Sequence, residues 1–256
     1  MATRPSWKTL LEQPFVKAVR DPTLIKGIYN TCDQWCMYCP ATARCLAYRC
    51  RPVGVTDGGA QNIYDNIADR MIEGMAMLRA VNAAEGRSIP ELEALLANDP
   101  RRGLELARID DPLERLGRRY AVTASRYLAS HPSFPFDMTR RSGGPTPFEV
   151  FAWYHVLIPV KIYRALTSSA TAAREGNDAL RRDALFSAKT VLFGTERSRA
   201  ALLELQKSEE DARLADMQAQ LRRLGREVDA RFPEARSLTR PGLDDAGPGE
   251  RSQEPA

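Results

Sequence analysis

The stretch VFAWYHVLIPVKIYRAL, residues 150–166, is the longest apolar run in the chain. Its apolar residues cover almost every side of a helix, which is typical of a helix buried inside a protein. Pro159 removes one backbone hydrogen bond within the run and predicts a kink there. Because His155 and Lys161 interrupt it, the run does not reach the roughly 18 apolar residues of a membrane span. We therefore expect a central, buried helix over residues 147–172.

Three further long helices are predicted from apolar residues at helical spacing, over 61–84, 111–130 and 177–231. Asp111 followed by Pro112 is a typical start for the second of them, since an acidic cap and a first-turn proline both favour a helix N-terminus. Val, Ile and Thr do not alternate with polar residues in period two, so strands are not predicted. Four long helices with short connections predict an all-α fold, an antiparallel helical bundle.

Composition divides the chain into three parts. Residues 1–56 hold a short N-terminal helix and a cysteine-rich segment, and residues 57–232 form the predicted helical bundle. Residues 233–256 are rich in Pro, Gly and charge and have little apolar surface to bury, which predicts a disordered tail.

A short seam runs through residues 214–228, where apolar residues step by three and four positions, as in a coiled coil. We expect this seam to pack against the chain's own bundle. Binding of a protein partner, or dimerisation, is the alternative. The seam consists of Leu214, Met217, Leu221, Leu224 and Val228.

Charge and composition indicate what kind of protein this is and which partners it is expected to bind. The chain has 256 residues, 43% hydrophobic and 27% charged, which suits a globular protein with a core. Its net charge is +4, and acidic residues interrupt the two most basic stretches, 101–108 and 221–231, so nucleic-acid binding is not expected. The N-terminus lacks the apolar core of a signal peptide. We therefore expect a soluble, cytoplasmic protein without a membrane span, in a compartment where thiols stay reduced.

Four of the five cysteines lie in TCDQWCMYCPATARC, residues 31–45, which we call the cysteine segment. They follow the pattern C-x3-C-x2-C-P-x4-C, and Cys50 lies five residues beyond the last of them. Thiolates joined by short loops converge on one metal ion at little cost. We therefore predict a metal centre, with Cys50 as a spare residue. Its predicted ligands are Cys32, Cys36, Cys39 and Cys45.

Both an iron–sulfur cluster and zinc accept four thiolates. Structural zinc sites more often use two C-x2-C pairs separated by a longer span, whereas these ligands are crowded into one run. A proline directly after a ligand, here Pro40 after Cys39, is typical of iron–sulfur segments. A 4Fe-4S iron–sulfur cluster is therefore the first expectation and zinc the alternative. Reduced structural thiols without a metal are the third, since cysteine also packs as a small apolar residue.

The segment resembles known families in three ways. CMYCPATARC, residues 36–45, resembles the iron–sulfur run of some CRISPR-associated and recombination nucleases, whose catalytic core has no counterpart here. CDQWCMYC, residues 32–39, resembles the cluster motif of radical S-adenosylmethionine enzymes, which would make its three cysteines the ligands, although the strands of that family's barrel are not predicted. With WYHVLIPVKIYRAL and SAKTVLFGTERS, the segment also resembles uncharacterised bacterial helical proteins. That resemblance spans most of residues 25–205, implies a shared helical domain and carries no activity.

Three kinds of function follow from this sequence. An iron–sulfur protein would transfer electrons or sense redox state, and a zinc-stapled protein would bind a partner. An enzyme would need a polar site in the bundle core, and the sequence leaves open whether there is one. A carboxylate-bound metal pair is not predicted, because Glu-x-x-His is absent, and ion pairs between helices are the simpler interpretation of the core charges. The candidate residues for an enzyme site are Glu149, His155, Lys161 and Asp69.

Overall fold

The computed structural model describes residues 21–49, 110–131 and 144–244. They belong to two compact units, the smaller of which contributes residues 21–24 and 46–49. All regular elements in these described stretches are helices, and none is a strand, so the all-α prediction is confirmed for them. No described helix is both long enough and apolar enough to cross a membrane.

In the described part of the smaller unit, the side chain of Asp21 connects two short stretches of chain. Asp21 accepts hydrogen bonds from the backbone N–H of Thr23 at 2.9 Å and from its hydroxyl at 2.6 Å, and it pairs with Arg49 at 2.6 Å. These hydrogen bonds, first those of Thr23 and then that of Arg49, hold the pKa of Asp21 at about 2. Asp21 therefore stays charged at neutral pH and ties Arg49, at the end of the helical turn Leu46–Arg49, to its own unit.

Four long helices make up most of the larger unit. Each begins directly after a residue whose side chain accepts a hydrogen bond from the first helical turn, which satisfies backbone donors that would otherwise lack a partner. The cap of the first helix is Asp111 followed by Pro112, as the sequence predicts. The four helices are α1 Pro112–Ser130, α2 Pro147–Glu175, α3 Asp178–Leu205 and α4 Ala212–Arg231.

Close packing of α2 against α1 and α3 depends on two glycines. A Cβ at Gly194 of α3 would lie 2.8 Å from Cδ1 of Tyr154, and a Cβ at Gly117 of α1 would lie 2.9 Å from Cδ1 of Ile162. Both distances are too short for carbon atoms, so these positions admit only glycine without a shift. The fully buried side chains around these contacts include Tyr120, Tyr127, Phe151, Tyr154, Ile158 and Leu202.

The central helix differs from its prediction in extent and in burial. α2 continues to Glu175, and Gly176 follows it in the left-handed conformation with φ 64°, a common way to end a helix. Val156 and Val160, one turn apart, are 54% and 55% exposed, so α2 is not buried all round. The helix has apolar residues on all its faces, but the face with Val156 and Val160 is exposed to solvent.

The helix predicted over 177–231 is in fact two helices. The structure ends α3 at Leu205 and starts α4 at Ala212. Asp211 caps α4 through a 2.8 Å hydrogen bond from the backbone N–H of Arg213. The polar run between the two helices has no apolar residue to bury, which explains the break. The helix predicted over 61–84 lies outside the described residues.

The seam over 214–228 packs within its own unit. Its five side chains are 0% to 1% exposed and belong to the main hydrophobic core. This agrees with the expected packing against the chain's own helices. It corrects the alternative in which this seam would bind a partner, because no side chain of the seam reaches the surface.

The start of the predicted tail folds back onto the helices. Residues 233–244 are described, with a 3-10 turn at Pro233–Ala235 whose Ala235 is fully buried. The Arg240 guanidinium lies 4.4 Å from the ring centroid of Phe193. A cation over an aromatic face and a buried arginine stem stabilise a segment that composition alone marks as unable to pack. Residues 245–256 of the predicted disordered tail lie outside the described residues.

Candidate metal centre

The cysteine segment consists of short turns and lies in the same compact unit as the long helices. The sequence instead predicts that it belongs to the N-terminal part, residues 1–56. Cys36 opens a 3-10 turn that Cys39 closes, and Cys45 closes a second turn, Thr42–Arg44. Each of these three cysteines thus lies at the end of a tight turn, where a small change in backbone angle moves its sulfur.

Stacked aromatic rings hold the segment against α2. The Trp35 ring is parallel to that of Trp153, with centroids 5.3 Å apart and an interplanar angle of 6°. It also meets the edges of Tyr38 and Tyr154, at 5.1 and 6.1 Å. Trp153 Nε1 donates a 3.0 Å hydrogen bond to the backbone carbonyl of Asp33. Large aromatic surfaces and one directional bond therefore fix the position of the segment.

Polar side chains of α2 and α3 also bind the cysteine segment, at Asp33. The carboxylate of Asp33 accepts a hydrogen bond from the Tyr154 hydroxyl and lies 3.8 Å from the Arg197 guanidinium. Arg197 also donates to the Tyr154 oxygen at 3.2 Å. Burial, and then the charge of Asp33, raises the pKa of Tyr154 far above its ordinary value, so its hydroxyl remains a donor. The network leaves the chain around Asp33 little freedom to move.

Strain at one backbone position accompanies this anchoring. Gln34, between Asp33 and Trp35, has φ 58°, in the left-handed region that a residue with a side chain rarely adopts. The bonds of Asp33 and the stacking of Trp35 supply the energy that holds it there.

The four predicted ligands are thiols and not disulfides. Burial raises the pKa of Cys39 to about 11, with further contributions from Cys32 and Cys36. Burial also raises the pKa of Cys32, and Asp33 and Cys36 add to this. The first three cysteines are therefore close enough to influence one another, and Cys32 and Cys39 are protonated at neutral pH when no metal replaces their protons.

Cys45 lies in a separate small cluster. It is buried and packs with Ile28 and Ala41, and Cys39 is a partly buried neighbour of this cluster. The backbone N–H of Ile25 donates to the carbonyl of Arg44 at 2.9 Å and closes the segment on itself. Cys39 is thus the residue that connects the first three cysteines with the fourth.

Within the stretches that the structure describes, no three Cys, His, Asp or Glu side chains converge closely enough to hold a metal ion as they stand. The four predicted ligands are therefore not in coordination geometry. The donor set itself suits a thiophilic metal, since soft thiolate ligands select zinc and iron–sulfur clusters.

Lys161 of α2 is a buried lysine, 3% exposed. Its Nζ has no hydrogen-bond partner among the described residues. Burial, and then the nearby charge of Arg164, lowers the pKa of Lys161, whereas Cys32 acts in the opposite direction. The sequence predicts Lys161 as part of a possible enzyme site, and the structure buries it in α2.

The other candidates for an enzyme site have structural roles or are not described. Glu149 forms a capping box with Thr146 at the start of α2. His155 Nδ1 lies 2.5 Å from the backbone oxygen of Ala152 in its own helix, and burial lowers the pKa of His155. Asp69 lies outside the described residues. These contacts support the simpler interpretation, in which the core charges stabilise helices.

Several charged side chains of α3 form ion pairs with residues outside the helix. Among them are Asp183 with Arg164, Lys189 with Asp244, and Glu196 with Arg236.

Sequence reasoning missed Asp33 and Tyr154 as anchors. A single aspartate between two cysteines and one tyrosine in an apolar helix carry no pattern that connects them. Comparison of the chain with protein-family models, with curated proteins and with solved structures gives no match.

Proposed function

We propose that this chain is a metal-binding helical protein whose centre is held by the four thiolates of the cysteine segment. The observation that carries the proposal is the anchoring of that segment. Asp33 and Trp35, which lie in sequence between Cys32 and Cys36, are bound by α2 and α3. A rigid support for short turns that carry ligands lowers the entropy cost of metal binding. The proposed ligands are Cys32, Cys36, Cys39 and Cys45.

The proposed metal group is an iron–sulfur cluster of the 4Fe-4S type, which would transfer electrons or sense redox state. Four ligands in one run, with proline after Cys39, support this choice. Cys32, Cys36 and Cys39 are half-buried, so a cluster there would be shielded yet near the surface, as electron exchange with a partner requires. Thiols that are not joined as disulfides suit the reducing cytoplasm, which is the proposed location.

Zinc is the second candidate, and one observation favours it. The turns around Cys45 pack in a small apolar cluster, with Ile28, Ala41 and Cys45 as its buried members among the described residues. Turns with so small a cluster would gain stability from a structural metal. A zinc-stapled chain would act by binding a partner and not by electron transfer.

We further propose that the four long helices form an antiparallel bundle. α2 and α3 are joined through Gly176 and Asn177. Arg164 of α2 and Asp183 of α3, on either side of this connection, form two hydrogen bonds of 2.5 and 2.9 Å. A short connection, with an ion pair between the two helices close to it, is typical of an antiparallel helix pair.

Anaerobic purification followed by elemental analysis tests the metal proposal. Iron with acid-labile sulfide, together with visible charge-transfer absorption, is the expected result. One zinc per chain in a colourless protein would select the second candidate. A chain that contains neither metal, and takes up neither after reduction of its thiols, would contradict both.

A matched pair of variants tests the ligand assignment. We expect Cys39→Ser to lose the metal, because Cys39 connects the first three cysteines with Cys45. Cys50→Ser, which removes the spare cysteine, should keep the full metal content. Full metal content in Cys39→Ser would refute the assignment of Cys39 as a ligand.

A further inference from the structure

Cys36 and Cys39 stand at the two ends of one tight turn. The backbone N–H of Cys39 donates a 3.2 Å hydrogen bond to the carbonyl of Cys36 and closes the 3-10 turn Cys36–Tyr38. A turn closed in this way places its first and fourth Cα atoms less than about 7 Å apart. In a 3-10 turn, side chains three positions apart also lie on the same side. Because a disulfide needs a Cα separation of about 4.4–6.8 Å, the turn brings the two cysteines into the range that a disulfide spans.

Contacts on both sides keep this turn in place. Trp35, directly before Cys36, is 3% exposed and stacks on Trp153 with ring centroids 5.3 Å apart. Pro40, directly after Cys39, restricts that cysteine to an extended conformation, and the structure shows it there with φ −86° and ψ 121°. Since the backbone is already ordered at both ends, closing a bond across the turn costs little further conformational entropy.

The two neighbouring cysteines are held by different contacts. The thiol of Cys32 donates to the backbone oxygen of Tyr29, with its sulfur 3.7 Å from that oxygen. Cys45 closes a separate turn through a 3.1 Å hydrogen bond from its backbone N–H to the carbonyl of Thr42, and it packs in the small apolar cluster. Of the four cysteines that the structure describes, Cys36 and Cys39 are therefore the pair that one turn joins.

Both members of this pair are accessible to a small oxidant. Cys36 and Cys39 are half-buried free thiols, whereas Cys45 is buried. Partial exposure is what a thiol needs for exchange with a dissolved disulfide.

We propose that Cys36 and Cys39 form a reversible dithiol–disulfide pair, which a small disulfide such as glutathione disulfide oxidises. One protein thiol exchanges with the oxidant, which gives a mixed disulfide and releases one glutathione thiol. The second protein thiol then attacks the protein sulfur of the mixed disulfide, forms the Cys36–Cys39 bond and releases the second glutathione thiol. The protein loses two electrons and two protons in total, and the two released glutathione molecules carry them.

The disulfide has a consequence for the proposed metal centre. Its formation does not depend on the metal-binding function, and only this consequence rests on that function. The bond would occupy two of the four proposed ligands, because metals bind the thiolate form of cysteine. Oxidation would therefore prevent metal uptake, and reduction would restore it.

Thiol counting after oxidation tests the inference. The full-length chain, freed of metal with a chelator, is incubated with glutathione disulfide, and its remaining thiols are alkylated and counted by intact mass. We expect the number of free thiols to fall from five to three, because two of the five cysteines become linked. Dithiothreitol should restore all five. A chain that keeps five thiols, or that carries glutathione only as a mixed disulfide, would overturn the inference.

Peptide mapping locates the bond. Cleavage before Asp33 and after Arg44 yields the peptide 33–44, which contains Cys36 and Cys39 and no other cysteine. From the oxidised chain we expect this peptide without alkylating reagent and two hydrogen atoms lighter than its reduced form. A second peptide joined to 33–44 by a disulfide would mean that another cysteine is the partner, which would overturn the pairing.

Serine variants provide the matched comparison. Cys36→Ser and Cys39→Ser should lose no pair of thiols on oxidation. Cys32→Ser, a change in the same segment, should still lose two. Loss of two thiols in Cys36→Ser, or protection of both in Cys32→Ser, would contradict the assignment.

Zinc uptake by the reduced and the oxidised wild type separates the two proposals. We expect the reduced chain to bind zinc and the oxidised chain to bind none. A chain that forms the disulfide, and in its reduced form takes up neither zinc nor iron, would support this inference and overturn the metal function alone. Metal binding without formation of the disulfide would overturn this inference alone.

Discussion

Tyr154, in the middle of α2, donates its hydroxyl hydrogen to the carboxylate of Asp33, which stands between Cys32 and Cys36 in the sequence. Tyr154 is fully buried, and its ring touches the position where a Cβ of Gly194 would stand. The packing of α2 on α3 therefore sets the position of the predicted ligands. A change in the helix core should be felt in the cysteine segment.

Tyr154→Phe tests this connection, since it removes one hydroxyl and leaves the ring. Asp33 loses a hydrogen bond in a half-buried place, and we expect the free energy of unfolding to fall by about 1–3 kcal/mol. We also expect the thiols of Cys32 and Cys36 to react faster with a chromogenic disulfide reagent, because their segment is held less tightly. Urea unfolding and the rate of thiol modification measure the two effects.

The control for this variant is Tyr29→Phe. Tyr29 precedes the same segment and is 37% exposed. It should change neither stability nor thiol reactivity. Thiol reactivity in Tyr154→Phe equal to that of the wild type would show that the Asp33 bond does not hold the segment.

Two glycine substitutions should have opposite signs. In Gly194→Ala the new methyl group would meet the Tyr154 ring at 2.8 Å, and we expect a loss of stability of about 1–3 kcal/mol from overpacking. At Gly225 of α4 the nearest atom is Thr195 Oγ1 at 3.8 Å, so Gly225→Ala has room. It should stabilise the protein by about 0.5–1 kcal/mol, because alanine favours a helix. Thermal unfolding of both variants checks the pair, and equal shifts would contradict the close packing of α2 on α3.

Asp183 should give stability that disappears in acid. Burial alone would raise the pKa of Asp183, but the hydrogen bonds from Arg164 and Ser168 outweigh it, and the pKa is lowered from 3.8. A group with a lowered folded-state pKa stabilises the fold above its unfolded pKa and loses that contribution as the pH falls through the folded value. Asp183→Asn should therefore be less stable than the wild type near neutral pH, by about 1–2 kcal/mol.

The difference between wild type and Asp183→Asn should shrink below the ordinary carboxyl pKa of 3.8. Urea unfolding at neutral pH and at several acidic values measures this trend. Ser168→Ala, which removes one of the donors to Asp183, should show a smaller loss with the same pH dependence. A difference that does not change with pH would mean that the charge of Asp183 is not what stabilises the pair.

The break between α3 and α4 leads to a fourth prediction. Asp211 caps α4, and its replacement by alanine leaves backbone donors of the first turn without an acceptor. We expect Asp211→Ala to lower the free energy of unfolding by about 1 kcal/mol. Asp216→Ala, at an exposed position in the same helix, should have a smaller effect, and an equal loss in both would argue against capping as the cause.

At two places the local sequence determined the local structure. Asp111 with Pro112 marks the start of α1, and the spacing of Leu214 to Val228 marks the buried face of α4, because caps and periodicity act over a few neighbouring residues. These features do not depend on distant parts of the chain.

Only the tertiary structure decided which distant residues contact each other. Asp33 and Tyr154 are 121 positions apart, and no local pattern pairs them. In residues 233–244, the Arg240 guanidinium lies over the ring of Phe193, and composition does not connect these two residues. The exposed face of α2 and the burial of Lys161 likewise depend on which neighbours arrive in space. Whether an apolar face is covered, or a charge finds a partner, is a property of the packed chain and not of the residue itself.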